Sequence, residues 1–279
     1  FKHFKKTYDE NILDIKGGLN DVVMNNSPID IDKLIEGTNE ILTANRNSLQ
    51  LFDMLHSMRQ FDDLTYVHSV NVALIASILG QWLKFSEKDI RILTISGLLH
   101  DIGKIMIPNE ILTKPGKLTV AEYNIMKQHV NFGYEKVKNQ NIDIRIKEAC
   151  LLHHEKCDGT GYPFGLKSDH IPAVAKIIAI ADVYDAMTSA RVYRGALCPF
   201  EVIDTMYKDA FTKFEPEYIL PFLKNVASSY INNDVRLSDG RIGKVVLINE
   251  NALSLPIVQC EDEFIDLSKT RELTVSAIL

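Results

Sequence analysis

Histidines and aspartates alternate along the middle of this chain, inside segments that are otherwise mostly apolar and helix-like. Burying such polar groups in a helical core is costly unless they are paired or bound to a metal. Imidazoles and carboxylates together suit borderline divalent ions such as iron, manganese or zinc, and one carboxylate can be shared by two ions. The pattern therefore predicts a two-metal hydrolytic centre held by helices. Its members, in chain order, are His68, His100, Asp101, His129, His153, His154 and Asp182.

Composition limits the classes of protein to which the chain can belong. Of its 279 residues, 46% are hydrophobic and 24% are charged, which suits one main domain with smaller additions. The net charge of -6 disfavours a DNA or RNA polymer as partner, because general phosphate binding needs a basic face. No apolar run approaches the roughly 18 residues of a membrane span, and the four scattered cysteines suggest no disulfide framework. We therefore expect a cytoplasmic protein. Because the chain opens on Phe1 rather than Met, the question whether a sensory domain lies upstream stays open.

The spacing of apolar residues predicts helices through most of the chain. From Leu64 to Trp82 they recur every three or four residues among small side chains, as in a helix buried on most of its surface. His68 would then lie inside the core. Ser86 and Asp89 have the spacing of a helix cap, and the helix that they open should lead to His100.

Three further segments are predicted to carry the remaining metal-type residues. Thr119 and Glu122 form a second capping pair, which opens a helix that we expect to carry His129. The stretch 144–155 carries two adjacent histidines and ends in a glycine-rich loop. A long helix over 173–189 presents two aspartates, one turn apart.

The two ends of the chain differ from its middle. Residues 1–60 contain amphipathic segments without clustered metal-type residues, which we expect to be packing or dimerisation helices and which would suit a homodimer. After Tyr230, short apolar runs flank an Asp239-Gly240 turn, which is a hairpin signal. The predicted fold is therefore mainly α, with an N-terminal helical region over 1–60, a central helical domain over 61–228 and a small β-rich appendage over 229–279.

Five motifs are specific enough to compare with known families. They are HSVNVA at 68–73, LHDIGK at 99–104, QH at 128–129, HHEKCDGTGYP at 153–163 and ADVYDAMTSAR at 181–191. The chain resembles the HD-GYP family of bacterial phosphodiesterases over roughly residues 60 to 225, and the fourth motif is the most specific. The resemblance implies an all-helical HD domain in the bacterial cytoplasm, which hydrolyses cyclic di-GMP to linear pGpG and in some members on to GMP. It also implies two divalent metal ions, iron or manganese.

The resemblance further implies how the metal ligands divide between two ions. The ligands of one ion would be His68, His100, Asp101 and Asp182. Those of the other would be Asp101, His129, His153 and His154. Asp101 would bridge the two ions, and a hydroxide between them would be the nucleophile that attacks phosphorus.

Four other side chains are expected at the substrate. Lys104 lies one turn beyond Asp101 and would point its ammonium at the scissile phosphate, where it offsets developing charge. Arg191 and Arg194 would grip the ligand phosphates through their bidentate forks, the alternative being solvated charges at a helix end. Asp185, one turn beyond the last metal-type aspartate, is also assigned to the substrate.

One departure from the family pattern concerns the number of metals. Some members add a third ion through a glutamate four residues before the first histidine, and here that position is Leu64, which cannot ligate. We therefore expect a binuclear site, and we hypothesise that hydrolysis stops at pGpG.

Three other functions stay open at this point. The substrate could be 3′,3′-cyclic GMP-AMP, the protein could be a receptor that binds a cyclic dinucleotide without hydrolysis, or the centre could be a di-iron oxygenase. The Gly161-Tyr162-Pro163 loop and the three cations favour a phosphate ester over a neutral polyol. The same loop is a candidate contact for protein partners.

Overall fold

Among the described residues, the elements up to Ser229 are helices, and those after it are strands. The description rests on a computed structural model and covers residues 2–44, 48–57, 64–189, 197–270 and 272–279. The helices in these ranges are α1 (Lys2–Asn25), α2 (Ile31–Ala44), α3 (Ser48–Ser57), α4 (Leu64–Trp82), α5 (Glu87–Leu99), α6 (Asn109–Leu112), α7 (Val120–Met126), α8 (His129–Val137), α9 (Ile144–Leu152), α10 (Ala173–Thr188), α11 (Pro199–Asp209) and α12 (Pro216–Ser229). Two short 3-10 turns span Ile102–Met106 and Ser168–His170.

Helix α4 lies at the centre of the helical part and packs against α1, α5 and α10. Its approach to α5 depends on Gly97, because a Cβ at that position would lie 2.4 Å from Cα of Ala73. Ser86 caps α5 by accepting a hydrogen bond from the backbone N–H of Asp89, as its spacing predicts. The close contact places the last turn of α5 against the middle of α4.

The expected helix from Thr119 to His129 is in fact two helices. The capping box of Thr119 and Glu122 forms as predicted, but α7 ends at Met126 and His129 begins α8. The physical reason is burial: α7 lies on the surface with none of its residues buried, whereas α8 enters the core. The chain must turn between them.

A tight contact joins α8 to the 3-10 turn over Ile102–Met106. A Cβ on Gly103 would lie 1.9 Å from the carbonyl oxygen of His129, so only glycine fits. The contact holds the residues on either side of Gly103 next to the first turn of α8.

The N-terminal helices pack on the central ones through large apolar side chains. Phe52 of α3 contacts Trp82 of α4, Tyr184 of α10 and Phe222 of α12, with ring centroids 5.9, 5.2 and 6.1 Å apart. Such aromatic pairs add to the free energy of area burial. The apolar core is continuous from α1 into the C-terminal strands.

The C-terminal residues form an antiparallel sheet. Its strands are β1 (Asp234–Leu237), β2 (Ile242–Leu247), β3 (Ile257–Cys260), β4 (Glu263–Asp266) and β5 (Val275–Ile278), in the spatial order β4-β3-β2-β1-β5. The predicted hairpin is present, with Val235 opposite Gly243. Strand β5 was not predicted; it pairs with β1, far from it in sequence.

The fold class predicted from the sequence, mainly α with N-terminal helices and a small C-terminal β structure, is confirmed. Within the described parts of the chain, no helix combines the length and the apolar character that a bilayer crossing requires.

Candidate metal centre

The seven side chains predicted to bind metal meet at one point of the helical core. His68 comes from the interior of α4 and Asp182 from the interior of α10. The others lie at helix ends: His100 and Asp101 follow α5, His129 begins α8, and His153 and His154 follow α9. All of them are buried except His154, which is partly exposed.

The two oxygens of Asp101 face different histidines. Its Oδ2 lies 3.6 Å from Nε2 of His68 and 3.2 Å from Nε2 of His100. Its Oδ1 lies 3.3 Å from Nε2 of His129 and 3.8 Å from Nε2 of His153. One carboxylate therefore stands between two groups of imidazoles, which is the arrangement that two ions sharing a ligand would need.

Two sets of candidate donors emerge among the described residues, and within each the ligand atoms lie within 4.8 Å of one another. One set is His68, His100 and Asp101, and the other is Asp101, His129, His153 and His154. Asp182 stands between them: its Oδ1 is 2.9 Å from Nε2 of His68 and its Oδ2 is 3.7 Å from Nδ1 of His154.

Backbone carbonyls fix the tautomer of three of these histidines. Since a carbonyl oxygen only accepts, each Nδ1 that contacts one must carry the proton, which leaves a lone pair on Nε2. A ring held in this way is typical of histidines that bind metals. The pairs are His100 with Gly97 (2.7 Å), His129 with Met126 (2.7 Å) and His153 with Ala149 (2.9 Å).

Two buried atoms of the cluster have no hydrogen-bond partner among the described residues. They are Nε2 of His100 and Oδ1 of Asp101. Unpartnered polar atoms in a core are rare and costly. Both are electron-pair donors, one on each side of the shared carboxylate, and a divalent cation beside each would satisfy it. The residues present therefore fit the two predicted ions.

Burial and charge favour the protonation states that metal binding needs at three members of the cluster. Burial lowers the pKa of His153 well below its usual range and that of His154 to about 3, so both rings are neutral. Burial would raise the pKa of Asp101, but His100 and Lys104 outweigh it and hold it well below its usual range.

His68 is a different case, because carboxylates flank it. Burial lowers the pKa of His68, but its hydrogen bonds to Asp182 and Asp185 outweigh burial and raise the pKa to about 9.

Asp185 does not lie where the predicted contact with substrate would place it. Its Oδ2 is 2.7 Å from Nδ1 of His68, its Oδ1 accepts a hydrogen bond of 2.9 Å from Nδ2 of Asn71, and the side chain is buried. A carboxylate enclosed in this way is not free to reach a ligand. The geometry instead favours a role behind the cluster, where Asp185 orients the imidazole of His68.

Lys104 lies beside the shared carboxylate. Its Nζ is 2.5 Å from Oδ2 of Asp101, and its side chain is 21% exposed whereas that of Asp101 is 1% exposed. The ammonium therefore lies where the buried cluster meets solvent.

The loop after the paired histidines packs against the cluster. The buried carboxylate of Glu155 accepts hydrogen bonds from three successive backbone N–H groups, those of residues 164–166, at 2.7 to 3.1 Å. The ring of Tyr162 stacks on that of His154, with centroids 4.7 Å apart. A Cβ on Gly161 would lie 2.4 Å from Cα of Glu155, so glycine permits this close packing.

Some predicted residues cannot be placed, and others were missed. Arg191 and Arg194 lie outside the described residues. Sequence reasoning does not single out Asn71 or Glu155 as parts of the site. A signal existed for Asn71, because it follows His68 by three residues and so shares its helix face.

Comparisons with known proteins identify the family. The sequence profile of the HD domain family matches residues 36–218. Cyclic di-GMP phosphodiesterase PA4108 of Pseudomonas aeruginosa is 36% identical over 203 residues, which make up 72% of this chain and 49% of that protein. The cyclic di-GMP phosphodiesterase response regulator RpfG of Xanthomonas campestris is 36% identical over 197 residues, 70% of this chain and 52% of that protein. The 3′3′-cGAMP-specific phosphodiesterase 2 of Vibrio cholerae is 32% identical over 188 residues, 66% of this chain and 36% of that protein.

The match to the family covers well over half of the chain, whereas the chain spans about half or less of the length of these relatives. The resemblance to HD-GYP proteins that the motifs indicate is confirmed. This chain therefore belongs to the HD domain family.

Proposed function

We propose that this protein is a metal-dependent phosphodiesterase that hydrolyses cyclic di-GMP to linear pGpG. The observation that carries the proposal is the position of Asp101, whose two oxygens face separate groups of imidazoles beside the ammonium of Lys104. Such a set of donors suits two divalent ions and an anionic substrate together.

Each ion has its own ligands in this proposal. One would be held by His68, His100, Asp101 and Asp182, and the other by Asp101, His129, His153 and His154. When bound, the two ions would lower the pKa of a water molecule and neutralise charge on a phosphate. The ligands are nitrogen and oxygen atoms without thiolates, which favours iron or manganese.

Lys104 supplies a positive charge to the substrate side of the centre. Its ammonium already neutralises part of the charge of Asp101, and its partial exposure lets it meet an incoming phosphate. In the transition state it would stabilise the charge that develops on the phosphoryl oxygens. A neutral polyol, the substrate class of an oxygenase, would offer no negative charge for this ammonium to stabilise.

The names of the relatives support a cyclic dinucleotide as the substrate class. Two of them are named cyclic di-GMP phosphodiesterases, and a third is named for 3′3′-cGAMP. The hybrid dinucleotide is therefore the second candidate, because both molecules present the same phosphodiester to the centre. The contacts that select the bases decide between them.

The predicted product follows from the number of ions. Leu64 is the first residue of α4 and offers no ligand to a third metal. With two ions the enzyme is proposed to stop at pGpG, and GMP as the main early product would contradict this.

The test is anaerobic turnover by protein reconstituted with iron(II) or manganese(II), with pGpG and GMP separated by chromatography. Cyclic di-GMP and 3′,3′-cyclic GMP-AMP are compared at equal concentration, and Asp101→Ala is the control. Linear dinucleotide that forms without oxygen consumption and vanishes in the control supports the proposal. Binding without product under both metals would replace the enzyme with a receptor.

A further inference from the structure

A series of hydrogen bonds leads from the N-terminal helix α1 to the candidate metal centre. The hydroxyl of Tyr8 donates to Oδ1 of Asn71, and Nδ2 of Asn71 donates to Oδ1 of Asp185 at 2.9 Å. Oδ2 of Asp185 then lies 2.7 Å from Nδ1 of His68. All four side chains are buried, and Tyr8 is 63 residues from Asn71 in sequence.

Donor and acceptor chemistry fixes the direction of every bond in this series. A carboxylate only accepts, so the amide of Asn71 must turn its NH2 toward Asp185 and its oxygen toward α1. That oxygen needs a donor, and the hydroxyl of Tyr8 provides one. The carboxylate of Asp185 is thereby held where it accepts the Nδ1–H of His68, which leaves Nε2 as the metal-binding atom.

We infer that Tyr8 is a positioning residue for the metal centre, an inference that rests on the proposed function of the same site. Through Asn71 and Asp185, Tyr8 holds His68 in the orientation and tautomer in which Nε2 binds a divalent ion. Without the hydroxyl, Asn71 loses a donor inside the core and is free to tilt away from Asp185. The outcome is weaker metal binding, although Tyr8 touches no ligand atom of the cluster.

A second hydrogen bond between the same two helices provides a matched control. Nδ2 of Asn20 in α1 donates to the hydroxyl of Tyr66 in α4 at 3.1 Å. Both Tyr8→Phe and Tyr66→Phe remove one buried hydroxyl and one contact between α1 and α4. Only Tyr8 lies on the path to Asp185. The ring of Tyr8, which stacks on Phe4, is kept in the variant.

The experiment is calorimetric titration of the whole metal-free chain with manganese(II), with circular dichroism to confirm folding. Tyr8→Phe is expected to weaken the affinity of one ion about tenfold, the low end of the range for groups that support a metal ligand. Tyr66→Phe is expected to leave it within about twofold, because the hydroxyl of Tyr66 bonds to Asn20 and not to a residue of the path. Unchanged affinity in Tyr8→Phe, or an equal loss in both variants, would overturn the inference.

A double variant separates transmission along the path from a general loosening of α1. Asn71→Ala interrupts the path, so adding Tyr8→Phe to it should weaken manganese binding no further. If the losses of manganese affinity in the two single variants multiply in the double variant, Tyr8 and Asn71 act independently, which would contradict the inference.

Different results would overturn the proposed function and this inference. If the native protein binds manganese but does not hydrolyse a cyclic dinucleotide, the function is wrong and the metal titrations still test Tyr8. If it hydrolyses the substrate and Tyr8→Phe keeps its affinity, only the inference fails.

Discussion

Replacing Asp185 by asparagine tests how His68 is prepared for metal binding. Among the described residues, two donors converge on this carboxylate, Nδ1–H of His68 at 2.7 Å and Nδ2–H of Asn71 at 2.9 Å. Aspartate accepts from both through different oxygens. Asparagine has nearly the same size but only one accepting oxygen, so Asp185→Asn keeps the packing and removes one acceptor.

The expected loss of metal affinity follows from which donor loses its hydrogen-bond partner. If the new amide nitrogen faces His68, the imidazole must move its proton to Nε2 and loses the lone pair that would bind the ion. If it faces Asn71, two NH2 groups oppose each other in the core. Substitutions of groups that support a metal ligand cost about 10 to 100-fold in affinity, which is about 1.4 to 2.7 kcal/mol.

The assay is calorimetric titration of the metal-free variant with manganese(II), beside Asp204→Asn as control. Asp204 undergoes the same chemical change at a partly exposed position of α11, where it pairs with Lys208. One of two binding events should weaken by the stated factor in Asp185→Asn and none in the control. Native affinity for both ions in Asp185→Asn would refute the role assigned to this carboxylate.

Three other substitutions, and one control for the second of them, have outcomes that the structure determines. Lys104→Gln should lower kcat about 10² to 10³-fold with unchanged metal content, measured by steady-state kinetics and metal analysis; an unaltered kcat would contradict its role at the phosphate. Gly103→Ala should lower the free energy of unfolding by about 3 kcal/mol or more, because its Cβ would overlap the carbonyl oxygen of His129. The control is Gly17→Ala on the open face of α1, where a Cβ meets nothing within 4 Å. It should instead raise the free energy of unfolding by up to about 1 kcal/mol. Equal effects of the two variants in urea denaturation would be inconsistent with the tight contact at Gly103. Glu155→Gln should lower the free energy of unfolding by about 1.5 to 3 kcal/mol, because three backbone N–H groups bond to its carboxylate. Thermal denaturation of the variant at the same midpoint as the native protein would argue against this role of Glu155.

The metal cluster was predictable from the sequence because its members are chemically conspicuous. Histidines are seldom embedded in apolar helices such as α4, and the capping signal of Ser86 set the start of the helix that delivers His100. The break between α7 and His129 was not predictable, since periodicity does not reveal when a surface helix must turn into the core.

Long-range partners explain the other differences. The sequence analysis assigns Asp185 to the substrate, but among the described residues it bonds to His68 and Asn71, which are 117 and 114 residues away. The role of Tyr8 depends on how α1 docks against α4, and the last strand pairs with β1 across the whole appendage. Sequence spacing carries no information on such pairings.

The most direct test of the central claim, that Asp101 joins two ions in one centre, is electron paramagnetic resonance of manganese(II)-loaded protein with metal content measured on the same sample. The account predicts two manganese ions per chain and the signal of an exchange-coupled pair, with the coupling lost in Asp101→Ala. A single uncoupled ion per chain in the native protein would contradict it.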